Sequence, residues 1–261
     1  MRNTLLLRIG QDPGGTCEWV LLGADGQPAG TVQSGTLQEA SGMASGLRVS
    51  VLAPGSDCLL TTASIPGSNR QKLLRAVPYA LEEQLTVDVE DLHFALGPAL
   101  GDGRHAVLVI AIQRMESILD ACREAELDVT RVIPEQLSIP CQASATCVVV
   151  DKNVALVRTG SYTGYAADSE NLGLLLSCQP APEDEATAGE LRIYKPAGSE
   201  LPDLGAVAEK AVVEDYHGSA LGLLAAGAGS PTIDLLQGPY SRSQEWGKLW
   251  RPWRATAALL L

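Results

Sequence analysis

The chain has 261 residues, enough for one large domain or two ordinary ones, and its composition of 46% hydrophobic and 19% charged residues is globular. Aromatic residues make up only 4%, with a single phenylalanine, so the cores must be aliphatic. A net charge of -12 excludes a nucleic-acid binder, because no basic patch offsets repulsion from phosphates, and favours a partner with a basic surface.

The opening MRNTLLLRIG has too short an apolar run for a signal peptide, and no small-residue cleavage site follows it. Short strands are expected over 4–9, 18–22 and 30–34, separated by the turns Gln11-Asp12-Pro13-Gly14-Gly15 and Asp25-Gly26. A helix over 37–44 and a strand over 48–52 complete a βββαβ unit. Strand 58–64, helix 69–85, strands 92–96 and 106–112, helix 115–125 and strand 129–133 come next. That βαββαβ order is the order of a ferredoxin-like module, with Gly101-Asp102-Gly103 as its hairpin turn.

From Thr146 the first pattern returns, with strands 147–151, 154–159 and 163–167, helix 170–178 and strand 190–194. A weak helix over 204–210, a strand over 211–214 and a small-residue helix over 219–228 close the unit. The acidic loop 179–189 reads as solvated surface. Two βββαβ units around an inserted module predict an α/β (α+β) fold of duplicated actin-like halves. The divisions are 1–56 and 146–240 for the halves, 57–133 for the ferredoxin-like insertion, 134–145 for a connector and 241–261 for a separate tail.

The helix over 69–85 is the most strongly patterned element. Ser68 and Gln71 have the spacing of a capping box, and Leu73, Val77, Leu81 and Leu85 recur every four residues as a buried stripe. Pro78 within it removes one backbone donor and predicts a kink. On the opposite face Tyr79 lies four residues from both Arg75 and Glu83, with Glu82 beside it. An aromatic between opposite charges is a composition that suits a docking surface.

Pro78-Tyr79-Ala80-Leu81-Glu82-Glu83-Gln84-Leu85, with Asp88, Asp91 and His93-Phe94-Ala95-Leu96-Gly97, resembles the signature of the general secretory pathway protein L family. These are inner-membrane platform proteins of the bacterial type II secretion system. Ile233-Asp234-Leu235-Leu236-Gln237-Gly238-Pro239-Tyr240 resembles the segment that ends the family's cytoplasmic part. The resemblance implies an adaptor that docks the N-terminal domain of the secretion ATPase, protein E. It also implies platform partners, protein M and protein F, and a homodimer at the cytoplasmic face of the inner membrane.

Trp246, Trp250 and Trp253 interleave with Lys248, Arg251 and Arg254 ahead of the apolar run 255–261. Aromatic and basic residues abutting an apolar run look like the cytoplasmic border of a membrane span, and a transmembrane helix is expected to continue beyond Leu261.

Chemistry has no visible address. Actin-like ATPases hold phosphate in two hairpin turns opened by Asp, whereas here Asp12 sits late in its turn and Pro13 has no amide proton. Asp151-Lys152-Asn153 keeps the Asp but has no glycines. No nucleotide, metal or other cofactor is therefore expected, and no catalytic residue. The rival readings are an actin-like ATPase or kinase relative binding Mg-ATP through Asp12 or Asp151, and a relative of pilus-assembly protein M. The six cysteines show no CxxC pair and are expected as free thiols. Of the histidines, His93 is expected on the solvent face of its strand, while His105 and His217 occupy ordinary places beside a turn and a helix.

Overall fold

A computed structural model describes residues 3–142, 145–179, 189–229 and 232–241. Leu5, Leu6 and Leu7 are all fully buried, so the strand carrying them is covered on both faces and sits inside a sheet. This is β1 (Thr4–Arg8), antiparallel to β2 (Cys17–Leu22) on one side and parallel to β4 (Arg48–Ala53) on the other. The short β3 (Gln33–Gly35) flanks β2, and β8 (Val129–Pro134) lies parallel to β4. The order is β3-β2-β1-β4-β8.

The second half repeats this strand for strand. Its central β9 (Thr146–Asp151) is antiparallel to β10 (Val154–Arg158), which pairs with β11 (Gly164–Asp168). On the other side β12 (Leu191–Pro196) is parallel to β9, and β13 (Ala211–Tyr216) is parallel to β12. The order β11-β10-β9-β12-β13 bears out the duplicated α/β architecture.

Between β4 and β8 the chain forms β5 (Cys58–Ser64), α2 (Arg70–Leu81), β6 (Leu92–Ala99), β7 (Arg104–Ala111) and α3 (Ile112–Glu124), after the earlier α1 (Leu37–Met43). The βαββαβ order is thus met along the chain, and β5, β7 and β6 keep the first-third-second pairing of a ferredoxin-like module, but its fourth strand does not join them. The inserted sheet has three antiparallel strands, β5-β7-β6, and β8 hydrogen-bonds to β4 instead. The physical reason lies in α3, whose Met115, Ile118 and Cys122 are buried among Leu5, Leu7, Val49 and Val51 of the first sheet. A helix on that face serves as the crossover between the parallel strands β4 and β8.

Four cores follow from strand alternation. The first sheet packs one face on α1, α3 and the inner face of the inserted sheet. Its other face meets Cys147, Val149 and Leu156 of the second sheet, with Leu221, Leu224 and Ala225 of α5 (Ala220–Gly227) in the same cluster. The outer face of the inserted sheet packs on Leu73, Val77 and Leu81 of α2. The second sheet covers its remaining face with Leu172 and Leu176 of α4 (Leu172–Ser177).

Two local expectations are corrected. Asn69, not Ser68, caps α2, its side chain accepting the amides of Gln71 and Lys72 at 3.1 Å. Pro78 lies inside the helix, which gives way after Leu81 to a 3-10 turn over Glu82–Gln84. The expectation that all six cysteines are free thiols is also corrected: Cys141 and Cys147, the latter on β9, are paired in a disulfide with Cα atoms 5.8 Å apart. Cys17, Cys58 and Cys122 are buried and free, and Cys178 is free and exposed. Burial pushes the Cys17 thiol up to about 11 and Cys122 to about 12, so neither is a nucleophile near neutral pH.

Candidate functional site

The two central strands end on opposite charges at equivalent positions of the repeat, Arg8 on β1 and Asp151 on β9. Arg8 Nη1 donates to Asp151 Oδ2 at 2.5 Å and Arg8 Nε to Glu135 Oε1 at 2.6 Å, with Glu18 at 3.5 Å. Glu135 opens the 3-10 turn Glu135–Ser138 after β8, and its second oxygen accepts the Gly55 amide at 2.9 Å. Burial works against the Arg8 charge, but Glu135 and Asp151 more than offset it and hold the guanidinium above its ordinary range. A cation therefore stands between the two turns where a nucleotide fold would hold anionic phosphate.

The rest of the junction is equally committed. Asp12 accepts the Gly14 amide on its carboxylate and the Gly15 amide on its backbone carbonyl, both at 3.1 Å, so the amides that could cradle an anion are used within the turn. Arg114 fastens that turn, donating to the Gly10 carbonyl at 3.0 Å and to Asp57 at 2.6 Å. In the second turn Lys152 adopts a φ of 55°, as a tight two-residue connection demands. Gly55 lies where a Cβ would stand 2.6 Å from Leu156 Cδ2 of the other half, so the halves meet at van der Waals distance. The connector is held as firmly: buried Arg158 donates to the carbonyls of Leu137 and Ile139 at 2.8 Å.

A second constellation joins α2, the inserted sheet and the segment after α5. Ile233 and Leu235 are buried, and the Leu235 amide donates to the Val132 carbonyl at 2.8 Å, pinning this segment along β8. Asp234 Oδ1 accepts the Val132 and Leu236 amides at 3.0 Å. Gln237 acts as a side-chain substitute for a strand neighbour: its Oε1 accepts the Leu96 amide at 3.2 Å and its Nε2 donates to the Leu96 carbonyl at 3.1 Å. Arg70, at the start of α2, donates to both the Leu96 carbonyl at 2.6 Å and Gln237 Oε1 at 2.7 Å.

His93 belongs to the same joint and corrects an expectation. It is 5% exposed, not solvent-facing; its Nε2 is 2.7 Å from the Leu235 carbonyl and its ring meets Tyr240 edge-on at 4.8 Å. The strand's alternation could not reveal this, because the covering segment arrives from far along the chain. Gly97 is needed for its small size, since a Cβ there would stand 2.8 Å from Ile233 Cδ1. The two motif-bearing stretches of the sequence are thus in direct contact.

Comparison with known proteins covers both of these stretches. The family described as Type II secretion system (T2SS), protein L matches residues 5–243. The chain belongs to the protein L family. It is 30% identical over 256 residues to the type II secretion system protein L of Dickeya chrysanthemi, covering 97% of this chain and 60% of that protein. It therefore spans about three fifths of that relative's length. Among solved structures it resembles the cytoplasmic domain of EpsL, an inner membrane component of the type II secretion system of Vibrio cholerae. That match has a TM-score of 0.75 at 25% identity, covering 92% of this chain and all of the other. It shares its fold with a chain of a PilM-PilN type IV pilus biogenesis complex, at a TM-score of 0.54 and 13% identity over 82% of this chain and 88% of that one.

In this protein L chain the expected docking residues lie together on the outer side of the inserted module. Arg75, Tyr79, Glu82 and Glu83 are all exposed, Tyr79 at 76%, and none forms a side-chain hydrogen bond or ion pair with a described residue. The expected Tyr79 contacts to Arg75 and Glu83 are therefore not made as hydrogen bonds. Trp246, Trp250, Arg251, Trp253 and Arg254 lie outside the described residues. Among the described residues no helix is long and apolar enough to cross a membrane, and no three His, Cys, Asp or Glu side chains form a metal-binding group. Sequence reasoning missed Arg8, Glu135 and Gln237. A signal existed for Arg8, which follows an apolar run at the same repeat position as Asp151.

Proposed function

We propose that the chain is a non-catalytic adaptor of the type II secretion system, working at the cytoplasmic face of the inner membrane. It docks the N-terminal domain of the secretion ATPase, protein E, and passes that attachment to platform proteins M and F, as a homodimer anchored through a helix beyond Leu261. The observation that carries this reading is Arg70. The helix bearing the exposed Tyr79 is tied at its first residue to Gln237, in the segment that leads on toward the tail, so a load on α2 has a hydrogen-bonded route to that segment. The absence of catalysis rests on Arg8, whose paired guanidinium stands between the two turns that would have to grip phosphate.

The test is co-purification of the chain with the ATPase's N-terminal domain. Replacing Tyr79 by Ala together with Arg75 by Glu should weaken binding at least tenfold, on the order of the 2 kcal/mol expected of an aromatic hot spot, while leaving the melting temperature unchanged. Undiminished binding by that variant would place the dock on another surface.

A further inference from the structure

The first sheet carries an unexplained polar site at the end of β1 remote from Arg8. There, beside the last residues after α5, a cavity of about 650 Å³ opens over the sheet face that packs against the second half. Register puts Thr4 opposite Arg48 and Ser50 opposite Arg131, and strand alternation sets Arg48, Ser50 and Leu52 on one face with Leu6. Deep in the sheet that face is Leu6, Leu52 and Ile133, all buried in the shared core. At its mouth the same face carries two arginines and a serine.

Among the described residues the two arginines have no side-chain partner. The side chains of Arg48 and Arg131 make no hydrogen bond or ion pair with a described residue, although the chain holds 31 acidic residues against 19 basic ones. Of the other described arginines, Arg8, Arg104, Arg114, Arg123 and Arg192 are each paired with a carboxylate and Arg70 and Arg158 with backbone carbonyls, while Arg75 on the exposed face of α2 shares the unpaired state. Ser50 is 5% exposed and lines the cavity. Asp25 lines the same wall, but its carboxylate accepts the Gln27 amide and pairs with neither arginine. Arg48 and Arg131 stand as diagonal neighbours on adjacent strands, so one anion in the cavity mouth would meet both.

We propose that this cavity binds a small molecule carrying a phosphate-type oxyanion, gripped by Arg48 and Arg131 with a hydrogen bond from Ser50, its neutral body resting on Leu6, Leu22 and Ile133. Paired guanidinium forks match the geometry of phosphate oxygens, and the volume lies within the ~300–1,000 Å³ of small-ligand sites. The site is separate from the closed junction at Arg8, which lies at the other end of β1, roughly 13 Å away at ~3.3 Å per residue.

Calorimetry and thermal melting with sodium pyrophosphate and with adenosine monophosphate test the proposal, with sodium chloride at matched ionic strength as the control. Binding of either phosphate compound, with a rise in melting temperature, is expected; tighter binding of the monophosphate would show that the apolar wall is used. Arg48→Gln with Arg131→Gln should reduce affinity at least tenfold, and Arg123→Ala on α3 should leave it unchanged. Because Arg48 is exposed, Arg48→Glu alone keeps the fold and should also reduce affinity about tenfold, as expected for a lost charge-assisted contact. No heat and no melting shift at millimolar ligand, or binding that survives both arginine variants, would overturn the assignment. The readout is independent of ATPase docking, so either proposal can fail alone.

Discussion

Replacing Arg8 by Met tests the junction most directly, because it keeps the length of the side chain and removes only the charged fork. The wild-type guanidinium reaches Glu135 at 2.6 Å and Asp151 at 2.5 Å, and the three side chains are 16%, 6% and 19% exposed. Removing one partner of a largely buried ion pair costs about 3–5 kcal/mol, chiefly because the other charges are left uncompensated. Glu135 keeps the Gly55 amide at 2.9 Å and Asp151 retains some access to water, which sets the expected loss near the lower end, ~3 kcal/mol. For a chain of this size that corresponds to a fall of about 6–12 °C in melting temperature. Urea unfolding followed by circular dichroism gives the free energy and the m-value together. Adding Glu135→Gln and Asp151→Asn to Arg8→Met should recover part of the loss, since no unpaired buried charge then remains. A single variant within about 1 kcal/mol of wild type, or a triple variant no better than the single, would refute the claim that this bridge closes the junction.

His93→Phe should cost about 1–3 kcal/mol by leaving the buried Leu235 carbonyl unpaired. It should also flatten the pH dependence of stability. Burial holds the His93 imidazole below its ordinary value, against the opposing pull of the Leu235 carbonyl, so its contribution is complete above the unfolded value of about 6.5 and is lost as pH falls through the lower folded value. Urea midpoints measured from neutral to mildly acidic pH check the slope, which should be shallower in the variant. At the start of α2, Asn69→Ala should cost about 1 kcal/mol and Ser68→Ala nearly nothing in the same urea assay; the reverse order would reinstate Ser68 as the cap.

Much of the architecture could be read from the chain because its signals are local. Buried strands such as β1 and β9 announce themselves as unbroken apolar runs, and the repeat of three strands, helix and strand was visible as order alone. The buried stripe of α2 was legible for the same reason, with Leu73, Val77 and Leu81 buried as the four-residue spacing requires. What could not be read was pairing. Nothing within β8 says that it will join β4 rather than β5, since that depends on α3 burying Met115 and Ile118 against the first sheet. His93 was misjudged because its environment comes from Leu235 and Tyr240, far away in sequence. The cap of α2 was off by one residue because Ser68 and Asn69 are both competent caps, and only backbone geometry at Asn69 decides between them.

The duplication also shows how one half has been specialised. β8 and β13 are equivalent outer strands, yet they are treated differently. The edge of β8 is capped by the segment carrying Leu235 and Asp234, which takes the Val132 amide and carbonyl that an unpaired edge would leave open. On β13, Val212 and Val213 remain 41% and 40% exposed. The segment chosen to cover β8 is also the one bound by Gln237 to β6 and by Arg70 to α2, so closing the edge and tying down the inserted module are done by the same few residues. That economy gives the hydrogen-bonding and close-packing residues His93, Gly97, Asp234 and Gln237 of the two motif-bearing stretches a shared structural task. Each of the four fixes one segment against another: His93 meets the Leu235 carbonyl, Gly97 leaves room for Ile233, Asp234 takes the Val132 amide and Gln237 spans both backbone groups of Leu96.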